Sequence, residues 1–99
     1  MIKQCDDKSL QAIIDYYGEV HQEEKAIEEM AELTQALIKT WQCESEDELY
    51  TVLDNVHEEL ADVCIMVSQL LLIYDADAVA KVVEQKIGRT LGRIRGEEE

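Results

Sequence analysis

Two short acidic motifs carry the chemistry this chain can be expected to do: Glu28-Glu29-x-x-Glu32 and, after a gap, Glu59-x-x-Asp62. Each sets carboxylates three residues apart in a stretch without helix breakers. On a helix, positions i and i+3 share a face, with Cβ atoms about 5–6 Å apart. Two such pairs on facing helices would bring Glu29, Glu32, Glu59 and Asp62 to one spot. Carboxylates so crowded repel one another, and a hard divalent cation, which prefers oxygen ligands, neutralises them.

Other metals fit the residues less well. A carboxylate-bridged di-iron bundle needs Glu-x-x-His pairs, yet three residues before His21 and His57 stand Gly18 and Asp54. Zinc takes Cys/His clusters, and none is present. Magnesium remains, with manganese as the alternative. Magnesium is usually held by a few carboxylates together with substrate phosphates, so a phosphorylated substrate is expected.

The elements that must position these acids are helices. The 99 residues make one domain, 1–99, too short for two cores. With no proline and four glycines, and rich in Glu, Ala, Leu, Lys and Gln, the chain is expected to be all-α. A first helix is expected over 9–17, with Leu10, Ile13, Ile14 and Tyr17 as its apolar stripe, and Gly18 as a break. A second runs over 19–41, with Val20, Ile27, Met30, Ala31, Thr34, Leu37, Ile38 and Trp41 as its main apolar row. Ser45 and Glu48 form a capping box that starts a third helix, which continues to about Tyr74. Asp75 or Asp77 can cap a fourth, which ends before Gly96 and the acidic tail 97–99.

At about 100° per residue, Glu29 and Glu32 fall away from that main row, beside Leu33 and Ala36. Glu59 and Asp62 fall on the same stripe as Met66, Gln69 and Ile73. With 23 acidic residues in the chain, one such spacing is often no more than a solvated face. An acid pair heading an apolar stripe is different, because burying it costs heavily unless a cation neutralises it. From Leu60 to Ile73 apolar residues surround the third helix on all sides. A helix of that kind is buried all round, so the expected architecture is an oligomeric four-helix antiparallel bundle with this helix at the subunit interface.

The formal net charge of −14 argues against a nucleic-acid backbone or an anionic membrane as partner. The apolar stretch 60–73 contains Asp62 and Gln69 and is too short to span a bilayer. Cys5, Cys43 and Cys64 are odd in number and unpatterned, and residues 1–7 hold no apolar signal region, so a cytoplasmic setting is expected. Lys86, Arg89 and Arg93 form a basic stripe on the fourth helix, suited either to phosphates or to complementing the helix dipole. Lys25, four residues before Glu29, can pair with a phosphate or with that carboxylate. Gly88 and Gly92, four apart, suggest close approach by another helix or a ligand. Trp41, Tyr16, Tyr17 and Tyr74 could stack on a base but are expected mostly to pack a core, and His57 is expected to be peripheral.

The order Glu28-Glu29-Met30-Ala31-Glu32, spacer, Glu59-Leu60-Ala61-Asp62 resembles the all-α nucleoside triphosphate pyrophosphohydrolases of the MazG-like superfamily, and the run from Gln22 through Lys25-Ala26-Ile27 resembles its small bacterial and phage members. The resemblance covers residues 20–93. It implies a helical bundle that forms a dimer or a dimer-of-dimers tetramer. It also implies magnesium-dependent hydrolysis of a nucleoside or deoxynucleoside triphosphate between the α and β phosphates, giving the monophosphate and pyrophosphate. Position by position, it assigns Glu29, Glu32, Glu59 and Asp62 to the metal and Lys86 and Arg93 to phosphate, with Thr90 where many relatives carry Asn. Glu28 matches an acid not present throughout the superfamily and is either a group that supports the metal ligands from behind or a candidate for orienting the attacking water. Two alternatives stand beside this: phosphoribosyl-ATP pyrophosphatase of histidine biosynthesis, which shares the bundle, and a non-catalytic acidic bundle acting as a regulator or DNA mimic.

Overall fold

The computed structural model describes residues 2–96, so the acidic tail 97–99 lies outside the described residues. Four helices follow in order: α1 (Asp7–Tyr17), α2 (Glu19–Trp41), α3 (Glu46–Ile73) and α4 (Ala76–Ile94), with no strand among the described residues. The chain is all-α, as its composition predicts. No single helix among the described residues is long and apolar enough to cross a membrane.

The helix starts follow from local hydrogen bonding. α1 begins two residues earlier than expected because Asp6 caps it: its Oδ1 accepts from the Ser9 amide and its Oδ2 from the Ser9 hydroxyl, both at 2.9 Å. Gly18 then turns the chain into α2 at φ 90°, a conformation glycine adopts without strain. Ser45 caps α3 by accepting from the Glu48 amide at 3.2 Å. The Glu48 carboxylate reaches back one residue further than a capping box requires, to the Glu44 amide at 2.9 Å. Of the two candidate caps for α4, Asp75 serves, accepting from the Ala78 amide at 3.2 Å.

The connection between α2 and α3 is short, which favours antiparallel neighbours. Gln22 meets Gln69, Tyr74 donates to Glu23, and Glu29 gathers with Glu59 and Asp62, so the two helices run in opposite senses. α1 packs on both of them. The buried apolar side chains are Leu10, Ile14, Ala26, Ala36, Val56 and Met66.

The main apolar row assigned to α2 from sequence is corrected here. Gln22, Ala26, Glu29 and Ala36 are the buried residues of this helix, while Val20, Ile27, Met30, Leu37, Ile38 and Trp41 are exposed. The small side chains Ala26 and Ala36 let the two backbones approach, and that face, not the bulkier one, meets α3. The aromatic expectation is corrected too: Trp41 and Tyr16 are 83% and 82% exposed, and Tyr17 and Tyr74 also stay on the surface. On α3, Met66 and Gln69 point inward with Glu59, as their shared stripe predicts. Leu60 and Ile65 remain exposed, so one chain alone does not enclose this helix on every side.

α4 turns through 112° from the axis of α3. It packs on α3 alone and buries none of its residues. Among the described residues no atom lies within 4 Å of where a Cβ would stand at Gly88, so no other helix approaches closely at that glycine. The radius of gyration, 17.0 Å, exceeds the roughly 13 Å of a compact chain of this length. The α1–α3 layer is therefore the packed unit that positions the acids. Replacing Ser45 by Ala should lower unfolding free energy by about 1 kcal/mol, read as a lower urea midpoint at unchanged slope.

Candidate functional site

The inward faces of α2 and α3 explain how the acids meet. Residues 22, 26, 29 and 36 share one face of α2, and residues 59, 66 and 69 share the facing stripe of α3. Carboxylate oxygens of Glu29, Glu59 and Asp62 lie within 4.8 Å of one another, as do those of Glu28, Glu29 and Glu32. Glu29 belongs to both sets and is their common centre. Both sets are entirely carboxylate.

The Glu29 side chain is only 7% exposed, and its Oε1 lies 3.2 Å from the Lys25 ammonium. Its other oxygen, Oε2, is buried without a hydrogen-bond partner, and so is Oε2 of Glu59. Lys25 also reaches Glu28 at 3.9 Å. The hydrogen bond to Glu29, then the charge of Glu28, holds the lysine above its ordinary pKa. Loss of solvent, followed by the charges of Glu32 and Glu29, pushes the Glu59 carboxyl above the usual range. Asp62 is raised as well, by lost solvent first, then by the hydrogen bond its protonated form makes to Glu29 and by that residue's charge, with Lys25 opposing. Glu32 acts on both carboxyls and so completes the group expected from sequence.

An all-oxygen donor set with two buried oxygens that no protein donor satisfies suits a hard divalent cation. One lysine cannot neutralise this many acids. The carboxylates present could hold a hard divalent cation.

Beside the acids a cleft opens between α2 and α3. A recess of about 190 Å³ is walled by Lys25, Glu29, Asp62, Ile65 and Met66. A larger hollow of about 470 Å³ shares Lys25, Ile65 and Met66 with it and continues toward the end of α1. Glu28 stands on the wall of this hollow.

The basic stripe is not brought to the acids within one chain. Lys86, Arg89 and Arg93 lie on α4, which makes no contact with α2, and no α4 residue walls either part of the cleft. Lys86 instead borders a small hollow with Ile87, Thr90 and Leu91 on its own helix. His57 is exposed, as expected. Sequence reasoning missed Gln22 and His21, and placed Gln69 on the acid stripe without giving it a role. A usable signal was there: Gln22 precedes Glu29, and Gln69 follows Asp62, by two helical turns, so both share the inward register of the acids.

No protein-family model, curated protein or solved structure matches the chain.

The raised carboxyls make stability depend on pH in a definite direction. The folded state holds the Glu59 proton more tightly than the unfolded chain, whose carboxyl titrates near 4.5. The associated stability is present below that value and is lost as pH rises through the folded pKa. Metal-free protein in a chelator should therefore unfold at lower urea at neutral pH than at about pH 5. Glu59→Gln should raise the neutral-pH midpoint and flatten this dependence. An unchanged pH dependence would contradict the crowding described above.

Proposed function

We propose that the protein is a magnesium-dependent nucleoside triphosphate pyrophosphohydrolase that cleaves between the α and β phosphates. One observation carries the reading: Glu29 and Glu59 each bury an unpartnered carboxyl oxygen among further acids, and Glu29 and Asp62 wall a cleft that also presents a lysine. Glu29, Glu32, Glu59 and Asp62 would hold the metal, with manganese as the substitute. Bound there, the ion would supply charge neutralisation for the triphosphate and acidify a water for attack.

The remaining steps belong to the chain. Phosphoryl-type displacement needs positioning and charge stabilisation more than covalent help. Lys25, nearly half exposed at the cleft wall, can leave Glu29 for a phosphate oxygen once that carboxylate is otherwise neutralised. Glu28, 61% exposed and lining the hollow, is free to accept a proton from an attacking water and orient it. The buried Met66 side chain restricts solvent on one side of the recess, next to the more exposed Ile65.

The protein acts as a homo-oligomer in this reading. Support comes from α4, which buries nothing in its own chain while exposing Val82, Val83, Ile87, Leu91 and Ile94. The exposed row of α2 adds Ile27, Met30, Leu37, Ile38 and Trp41 to the apolar surface. An apolar surface this extensive marks an association site. Association can also bring Lys86, Arg89 and Arg93 of one copy to the cleft of another, which one chain cannot do.

A panel of ribo- and deoxyribonucleoside triphosphates, with phosphoribosyl-ATP included, should show magnesium-dependent release of pyrophosphate. Glu29→Gln or Glu59→Gln should lower kcat by at least about a hundredfold while circular dichroism stays helical. Absence of turnover across the whole panel would remove this reading. For the oligomer, Ile87→Glu should shift the sedimenting mass toward that of one chain. A parent protein that sediments as a monomer at every concentration would sink that part.

A further inference from the structure

The larger hollow is walled on one side by two buried amides, Gln22 and Gln69, which are 4% and 1% exposed. Gln22 Nε2 donates to Gln69 Oε1 at 2.8 Å, and Gln22 Oε1 lies 2.8 Å from His21 Nδ1. Gln69 Nε2 donates in turn to the Ile65 carbonyl at 3.4 Å, beside the Met66 sulfur at 3.7 Å.

That backbone carbonyl fixes the direction of the whole chain of bonds. A carbonyl only accepts, so the Gln69 amino group must face it and the Gln69 oxygen must face Gln22. Gln22 then turns its amino group to Gln69 and its oxygen to His21, which makes His21 Nδ1 the donor. Gln22 uses one hydrogen and one lone pair in this arrangement and keeps one of each. Such an edge, donor beside acceptor and locked against flipping, is what a glutamine offers to the hydrogen-bonding edge of a nucleobase. A sealed amide pair could only fix helix register. This one borders the hollow.

The neighbouring surface suits a flat ring. Tyr17 and His21 lie nearly parallel, their planes 15° apart and centroids 5.2 Å apart, and both wall the same hollow. Tyr17 is 54% exposed, so its ring has area to offer. Stacking on an aromatic side chain binds any base, whereas a polar edge selects among them. The volume, about 470 Å³, falls in the usual range of small-molecule sites, about 300–1,000 Å³.

We infer that this hollow is a nucleobase subsite: a heteroaromatic base stacks on the outer face of the Tyr17–His21 pair and is read by the oriented amide of Gln22, which Gln69 holds in place. The orientation of the ligand rests on the pyrophosphohydrolase reading, with the base toward α1 and the phosphates toward Lys25 and the acids. Gln69 is a positioning residue, acting through Gln22.

The test uses the full chain and free nucleosides (adenosine, guanosine, cytidine, uridine and thymidine) in chelator, so that neither metal nor phosphate contributes. Saturation-transfer NMR should show ring protons of at least one nucleoside receiving saturation, with shifts at the Gln22 and Gln69 side-chain amides. Gln69→Met and Tyr17→Ala should each weaken that nucleoside about tenfold or more, with helix content unchanged. Because Gln69 is enclosed, its variant can lose the fold, in which case the surface change at Tyr17 decides. Binding of no nucleoside, shifts confined to other residues, or parental affinity in folded variants overturns the subsite. Pyrophosphate release without nucleoside binding overturns the subsite alone. Nucleoside binding at these residues without turnover of any triphosphate leaves the subsite standing and removes the hydrolase.

Discussion

Glu29 sits between α2 and α3 almost out of solvent, one carboxyl oxygen against Lys25 and the other without a donor, while Glu59 and Asp62 converge on it from the facing helix. The interface that holds the packed unit together therefore runs through a cluster of like charges. Burying an unpaired ion is among the more costly things a fold can do. The raised carboxyls of Glu59 and Asp62 show where that cost falls, since protons are retained where charges cannot be spread. Either protons or a cation must relieve the crowding. A site that prefers the charged form only when something positive is present is suited to holding a cation.

The same interface accounts for the rest of the shape. Ala26 and Ala36 bring α2 close to α3, and Gln22 with Gln69 carries the polar character of the acid site two turns further. An inward face made of alanines, amides and acids leaves the bulky apolar residues of α2 on the outside. α4 adds its own unburied apolar side and turns away from the layer. The expanded radius of gyration follows from both. A second copy covering these surfaces, and returning the basic stripe of α4 to a cleft, is the arrangement proposed above.

Helix positions were largely legible before any coordinates. Gly18, Ser45 and Asp75 punctuate the sequence with local chemistry that acts within a turn, and the helices begin where those residues can cap or release the chain. Only α1 begins earlier than its apolar stripe suggests, because Asp6 caps it through the Ser9 amide. The acid stripe of α3 was also legible, since Glu59, Met66 and Gln69 share a face by periodicity alone. The inward face of α2 was not. Periodicity ranks faces by hydrophobic size and so selected Val20, Ile27 and Trp41, which are exposed.

By itself the sequence determined the helices, the pairing of acids along each of them and the excess of negative charge, because these depend on neighbours three or four residues away. Only the tertiary structure decided which face of α2 meets α3, and hence that Glu29 is the shared centre of the acids. It also decided that Gln22 and Gln69 join across the cleft, and that α4 stays clear of it. Those outcomes depend on how closely two backbones can approach, a property of small side chains on one helix facing particular side chains on another, which no pattern along a single helix contains.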